Sequence, residues 1–345
     1  VAVLVDDQHD IPNDVPAVIV PDTLIALQQL GAFRRQELNP KVVAITGSNG
    51  KTTTKDMTAA VMAKRYKTFK TPENFNNEIG VPMTLLTMPA DTEVLVVELG
   101  MDRPGQLTAL SKLVVPDVAI ITMIGEAHIE FFQTRAKMFG DGVSAVQGDA
   151  TTTTFTYQET RFAIPLIGGY NIMNALAAVS AGILLHIDLD DAVEALQTFD
   201  LTKNRTERLV TARGVNLISD VYNSNPTAVA AVLATLKAIP APHKYVVLGD
   251  MLELGEQAAT LHANLAKEIL AANVTGVYLV GQLFTANTAP ILAPHFDSEH
   301  LHLYDTQQLD ALIADLKTLG DAGDVILLKA SHGIHLENVV NALVQ

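Results

Sequence analysis

Apolar and polar positions alternate in blocks along most of the chain. Short β-branched runs bounded by glycine or proline give way to longer segments in which apolar residues recur at helical spacing. Residues 42–46 (Val-Val-Ala-Ile-Thr) form the first clear buried run, ended by Gly47, and residues 51–64 follow with helical periodicity. Residues 93–98 and 117–122 are further strand-like runs, with a helical segment after Pro104 between them. The alanine-rich stretch 171–185 and the stretch 190–197 read as helices. A second series begins near residue 207, with apolar runs at 215–219, 245–248, 277–280 and 325–328. Helical segments lie at 226–237, 257–272, 306–318 and 335–344. Strands that alternate with helices predict βαβ units and mostly parallel sheets covered on both faces, an α/β fold.

The first 40 residues are different. A strand is expected within 1–5, Pro12, Pro16 and Pro21 punctuate a loop, residues 18–20 are apolar, and 23–36 have helical spacing. This is little material for a closed core, and the chain starts at Val1, so the segment reads as the tail of an N-terminal α/β domain. The polar stretch 202–207 marks a hinge. The predicted division is 1–40, 41–204 and 205–345. Residues 139–158 carry little pattern apart from four consecutive threonines at 151–154.

Composition narrows the function classes. With 48% hydrophobic and 18% charged residues, 345 residues can bury two or three domain cores. The net charge of −15 excludes nucleic-acid binding by a bulk electrostatic footprint, so any bound anion needs a local site. Cysteine is absent, which removes disulfides, thiol nucleophiles and cysteine-ligated metals. The longest apolar stretch, 175–185, is too short to span a bilayer, and no secretory signal is visible. A cytoplasmic protein without membrane insertion is expected, as a monomer.

The strongest chemical signal is Thr46-Gly-Ser-Asn-Gly-Lys-Thr-Thr-Thr54, placed between a predicted strand and a predicted helix. Glycines let such a loop curl so that its N–H groups face phosphate oxygens, and the helix N-terminus adds a favourable dipole. Gly47, Ser48, Asn49, Gly50, Lys51, Thr52 and Thr53 are the candidate nucleotide-binding residues, with Lys51 on the β and γ phosphates and the Thr52 hydroxyl on Mg²⁺. The general pattern has glycine six residues before the lysine, where this chain has Ile45. A phosphate loop calls for a magnesium carboxylate. Glu98 ends an otherwise apolar strand, which puts it at the carboxyl edge of the sheet, where ligands bind in open α/β folds. His128 follows the third strand at the same edge and is a candidate second metal ligand. Lys137, by position alone, reads as a solvated lysine.

Five stretches together resemble the Mur ligase family, the ATP-dependent amide-forming enzymes of peptidoglycan precursor synthesis. They are the phosphate loop through Lys55, Asn74-Phe-Asn-Asn-Glu-Ile-Gly-Val-Pro82, Glu98-Leu-Gly-Met-Asp-Arg-Pro-Gly105, Asp220-Val-Tyr-Asn-Ser-Asn-Pro226 and Gly249-Asp-Met-Leu-Glu-Leu-Gly255. The second and fifth point to the branch that adds D-Ala-D-Ala to UDP-MurNAc-tripeptide. The resemblance implies a central ATP-binding P-loop-type domain, a C-terminal Rossmann-like domain, and a UDP-sugar-binding N-terminal domain of which residues 1–40 are the remnant. It implies ATP and two Mg²⁺ ions, the second held by His128 and supported by a carbamylated lysine, for which Lys137 matches in context. The nine residues from His128 to Lys137 are fewer than the family spacing, which suggests missing residues after Thr134 and between about 139 and 158.

By the same resemblance, Asn171 and Asn174 contact nucleotide, and Arg205 approaches the γ-phosphate. Asp220, Tyr222, Asn223 and Asn225 lie near ribose and adenine, and Thr71, Asn74, Asn76 and Asn77 face the nucleotide-sugar substrate. Tyr170 replaces a common His, Glu73 a usual Gly, Met123 a common Asn, and Ala330 the Gly of a Lys-Gly-Ser-Arg/His-Gly loop. Each of these stretches also admits a plain reading as turn and cap chemistry. The rival functions are another Mur-type or folylpolyglutamate-type ligase, and a P-loop nucleotide switch. The Asn-Lys-x-Asp string by which regulatory GTPases read guanine is absent.

Overall fold

A computed structural model of the protein describes residues 3–6, 15–123, 143–148, 151–202 and 205–344. The chain forms two compact units that interleave in sequence: Val1–Gly142 with Met173–Asp200, and Val143–Ile172 with Leu201–Gln345.

The first unit is built on four parallel strands, β3 (Lys41–Thr46), β4 (Thr68–Lys70), β5 (Val94–Glu98) and β6 (Val118–Ile121), in the order β4-β5-β3-β6. Every residue of β5 is buried, as are Val42, Val43, Ala44 and Ile45 of β3. Near-continuous apolar runs of this kind belong to strands covered on both faces. A short parallel pair, β1 (Val3–Val5) and β2 (Ala17–Ile19), precedes the sheet. The first helix, α1 (Thr23–Leu38), starts at Asp22, whose carboxylate accepts the Ile25 N–H at 2.9 Å, and ends at Asn39 in the left-handed region. Helices α2 (Lys51–Met62), α3 (Gly80–Thr87) and α4 (Gln106–Val114) follow β3, β4 and β5. Arg35 of α1 donates to the Val114 and Val115 carbonyls at 3.0 Å, satisfying the C-terminal end of α4. Helices α5 (Tyr170–Leu184) and α6 (Leu189–Gln197) come after the second unit's first segment, and α2 packs on α6.

The second unit holds two sheets. Strands β7 (Val143–Gly148), β8 (Thr153–Tyr157) and β9 (Thr160–Ile164) form an antiparallel meander. Phe155 and Phe162 pair across β8 and β9 and stack at 5.1 Å, both fully buried. The apolar pattern of the sequence predicts no strands here. The threonines are the reason: β-branched and alternating with Phe155, they form a half-buried strand, whereas as a run they look like low complexity.

The larger sheet contains β10 (Glu207–Val210), β11 (Asn216–Asp220), β12 (Lys244–Gly249), β13 (Gly276–Val280), β14 (Leu301–Tyr304) and β15 (Val325–Lys329), ordered β10-β11-β15-β12-β13-β14. All its pairs are parallel except the β10 edge. Separate apolar clusters cover its two faces. Helix α7 (Pro226–Ala238) matches its expected span within a residue. The expected helix 257–272 is broken into a 3₁₀ turn, Gly255–Gln257, and helices Ala258–Asn264 and Ala266–Ala271. Among the described residues no helix is long and apolar enough to cross a membrane.

Candidate active site

The phosphate loop joins β3 to α2. Ile45 lies within β3, fully buried and registered between Glu98 and Ile120, so the strand runs on to Thr46 and the turn itself is the compact Gly47–Gly50 stretch. That accounts for the departure from the general pattern, because a glycine at 45 would leave a hole in the sheet. Two glycines are required by space. Gly47 has φ +137°, and a Cβ there would meet Thr122 Oγ1 at 2.3 Å. Gly50 has φ +81°, and a Cβ there would sit 2.6 Å from Asn174 Oδ1. The loop is tied to the end of β6: Ser48 donates through its amide to the Met123 carbonyl at 2.9 Å, and Thr122 Oγ1 donates to the Asn49 carbonyl. Met123 serves through its carbonyl and also through its sulfur, which accepts from Asn49 Nδ2 at 3.7 Å. Asn174 of α5 accepts from Thr54 Oγ1 at 3.2 Å, holding the loop from the other side.

Lys51, the first residue of α2, donates from Nζ to the Gly47 carbonyl at 2.8 Å, across the mouth of the loop. Thr52 is buried. Glu98 ends β5 beside the loop's own strand and is 1% exposed. Its Oε1 accepts from Asn76 Nδ2 at 2.9 Å, and its Oε2 is buried with no hydrogen-bond partner. An orphaned carboxylate oxygen at the carboxyl edge of a sheet, beside a phosphate loop, suits a hard cation. No group of three His, Asp or Glu able to hold a metal occurs among the described residues. A metal at Glu98 would therefore also draw on a hydroxyl, phosphate oxygens and water. His128 and Lys137 lie outside the described residues.

The segment between β4 and α3 faces the same carboxylate. The hydroxyl of Thr71, which is fully buried, accepts the Glu98 amide at 2.9 Å. Glu73 adopts φ +41°, the left-handed conformation in which glycine is the unstrained choice. Asn76 also accepts the Gly100 amide through its carbonyl at 2.7 Å, and the Asn74 carbonyl accepts the Asn76 amide at 2.7 Å. Asn77 Oδ1 takes the amides of Ile79 and Gly80, which starts α3. Glu78 is held by Gln106 Nε2 at 2.6 Å and by Arg103, and these two contacts push its pKa below the usual carboxylate range. It borders a cavity of about 260 Å³ lined also by Leu24, Gln28 and Leu110.

The second unit gathers a further set at the carboxyl edge of its large sheet. Asp220 ends β11 and Lys329 ends β15, in register, and they form an ion pair at 2.7 Å. Lys329 is 1% exposed and also donates to the Asn223 carbonyl at 2.8 Å. The Arg205 guanidinium lies 4.0 Å over the Tyr222 ring, its Nε buried without a partner, and His332 stacks on Tyr222 at 5.5 Å. Asn225 caps α7 by accepting the Ala228 amide at 2.9 Å, with Pro226 as the first helical residue. Asn171 donates to the Ile167 carbonyl at 2.9 Å. Tyr170 hydrogen-bonds Thr206 at 3.4 Å, and its burial raises the phenol pKa. Lys55, Lys329 and Ser331 lie outside the predicted set of site residues, although Lys55 ends the phosphate-loop stretch and Lys329 and Ser331 stand in the Lys-Ala-Ser-His-Gly loop. For Lys329 the signal is a lysine that ends an apolar run; Lys55 stands in the polar stretch Thr-Thr-Thr-Lys-Asp and carries no such signal; Ser331 links two motifs, since its hydroxyl accepts the Leu252 amide at 2.9 Å.

An open α/β sheet with a phosphate loop at its carboxyl edge, followed by a mostly parallel second sheet, defines a nucleotide-dependent ligase architecture. The chain belongs to the Mur ligase family: residues 45–141 match the Mur ligase middle domain and residues 204–332 the Mur ligase glutamate ligase domain. It is 37% identical over 381 aligned residues to the UDP-N-acetylmuramoyl-tripeptide–D-alanyl-D-alanine ligase of Bacillus subtilis (strain 168), covering 97% of this chain and 82% of the relative. Among solved structures it resembles MurF from Acinetobacter baumannii, with a TM-score of 0.84 and 28% identity over 99% of this chain and 84% of that one. It also resembles the MurF ligase of Thermotoga maritima in complex with ADP, with a TM-score of 0.81 and 25% identity over 99% and 88%.

Proposed function

We propose that this chain is the ATP-dependent ligase that joins D-Ala-D-Ala to UDP-MurNAc-tripeptide in peptidoglycan precursor synthesis, releasing ADP and phosphate. The observation that carries this reading is the phosphate loop packed against a buried, half-satisfied Glu98, in a chain 37% identical to a ligase of that name. A carboxylate is a poor acyl donor. Its oxygen attacks the γ-phosphorus of ATP, the bond from that phosphorus to the β-γ bridging oxygen breaks, and an acyl phosphate forms. The amine of D-Ala-D-Ala then attacks the acyl carbon, loses a proton, and expels phosphate.

The chain's own residues support these steps. The amides of the Gly47–Gly50 turn and the N-terminus of α2 receive phosphate oxygens. Lys51 leaves the Gly47 carbonyl to offset the charge that gathers as carboxylate meets triphosphate. Thr52 and Glu98 would hold Mg²⁺, which when bound would neutralise phosphate charge. Asn76 keeps Glu98 aimed at that position. We assign His128 to a second Mg²⁺ and Lys137 to the role of the carbamylated lysine. Arg205 serves the γ-phosphate, Asn171 and Asn174 the nucleotide, and Asp220, Tyr222, Asn223 and Asn225 its ribose and adenine. Thr71, Asn74 and Asn77 line the nucleotide-sugar side. The reaction consumes ATP and so belongs to the cytoplasm.

The test is ATP-dependent phosphate release by the full-length protein with UDP-MurNAc-tripeptide, with and without D-Ala-D-Ala. Release that needs both, with a product heavier by the dipeptide, is expected. Release triggered instead by a single amino acid, or by glutamate on folate, would assign a sister ligase. Nucleotide binding without release would leave a switch.

A further inference from the structure

Lys55 lies on α2 one helical turn after Lys51, and it is 1% exposed. Its Nζ donates to the Thr71 carbonyl at 3.2 Å and lies 3.4 Å from Asp56 Oδ1. The same Asp56 oxygen takes Lys70 Nζ at 2.7 Å. Burial works against the charge of Lys55 and pushes its pKa down, while the carboxylates of Asp56 and Glu98 oppose that shift. A buried lysine is an expensive way to fill space that methionine would fill, so its contacts need an explanation.

Those contacts converge on one peptide. Thr71 is fully buried, and its amide donates to the Val96 carbonyl at 3.0 Å. Its hydroxyl accepts the Glu98 amide at 2.9 Å. Five residues on, Asn76 donates to Glu98 Oε1. The main chain at Glu98 and the side chain that aims its carboxylate are thus both anchored through the segment that Lys55 grips. Removing Nζ would leave the Thr71 carbonyl buried without that donor, and the segment would shift to recover one.

We propose that Lys55 is a positioning residue for the divalent-cation carboxylate: through Thr71 it fixes Glu98 relative to the phosphate loop, so that one helix sets both the phosphate lysine and the metal ligand. This rests on the reading of Glu98 as a Mg²⁺ ligand. In this role Lys55 acts through the Thr71 carbonyl.

The experiment is calorimetric binding of ADP, with Mg²⁺ and with EDTA, to the full-length protein and to its Lys55→Met, Thr71→Val, Lys55→Met/Thr71→Val and Glu98→Gln variants. In Lys55→Met the gain in ADP affinity conferred by Mg²⁺ falls about tenfold or more, the usual loss when a metal ligand's supporting contact is removed, while Mg²⁺-free affinity stays within about twofold. Thr71→Val, which keeps the lysine charge, shows the same split, and the double variant is no worse than the more severe single one. If Lys55→Met fails to fold, Thr71→Val carries the same expectation. A lower melting temperature with the Mg²⁺-linked gain intact would make Lys55 merely structural and overturn the proposal. A larger gain would make it only a neighbouring positive charge, and overturns the proposal equally. If Glu98→Gln itself keeps the full gain, the assignment of Glu98 to Mg²⁺ fails, a result distinct from failure at Lys55 alone.

Discussion

Lys51 and Lys55 are the same residue type one turn apart on one helix, yet their surroundings divide their work. Lys51 spans the loop mouth, its Nζ on the Gly47 carbonyl, where we propose that it meets phosphate. Lys55 is sealed beneath the helix, where a charge must be matched by carboxylates and a carbonyl. For Lys51→Ala we expect phosphate release with both substrates to fall by at least ~10²-fold, the scale of losing one preorganised charge partner in a transition state. Turnover within tenfold of the parent enzyme would remove Lys51 from the mechanism. The motif pointed to Lys51 because strand, glycine turn and helix are all local. Glu98 was legible as a strand-end acid, but its unpartnered oxygen was not, since that depends on Asn76 and Thr71 arriving from another part of the chain.

Among the elements, strands with buried faces were the most legible, because β3, β5, β12, β13 and β15 each carry a run of apolar residues with no polar face to confuse them. The edge strands β4, β10 and β14 went unread, since they are short and only partly buried, which weakens the pattern. The broken helix after Gly255 holds a buried histidine. His262 is fully buried in its first half, donating from Nδ1 to the Ala258 carbonyl at 2.7 Å and accepting the Met251 amide on Nε2 at 3.0 Å. The ring must be neutral to accept that amide, and burial lowers its pKa from 6.5. Unfolded chains therefore bind the proton first. The stability this arrangement gives is whole above about pH 6.5 and is lost as pH falls toward the lower folded value. In urea melts between pH 7.5 and 5, the parent protein should lose more stability than a His262→Gln variant. Parallel losses would mean that His262 titrates alike in both states.

For the whole molecule, the two compact units carry separate sheets and separate cores. A ligand held by the phosphate loop should stabilise the first unit by mass action, by about 2.7 kcal/mol at a hundredfold excess over its Kd. Hydrogen exchange with MgADP is then expected to slow at the amides of β3 and α2. Protection confined to the strands β10–β15 would move the nucleotide site to the second unit. The interleaving of the units was not legible, because the segment Val143–Ile172 belongs with the C-terminal unit through tertiary packing: Ile167 lies in the same apolar cluster as Val229 and Leu233.

By itself the sequence determined the α/β class, the phosphate loop and its lysine, the acid at the strand end, and the family. Each rests on local spacing, on backbone conformations that only glycine takes easily, or on ordered motifs. Only the tertiary structure decided which residues support them. Asn174 closes the loop from over 120 residues away, Lys329 neutralises Asp220 across two strands, and Lys55 reaches Thr71 beneath the sheet edge. Such pairings follow from burial, which makes most enclosed polar groups take a partner wherever the fold brings one, and no spacing along the chain records that choice.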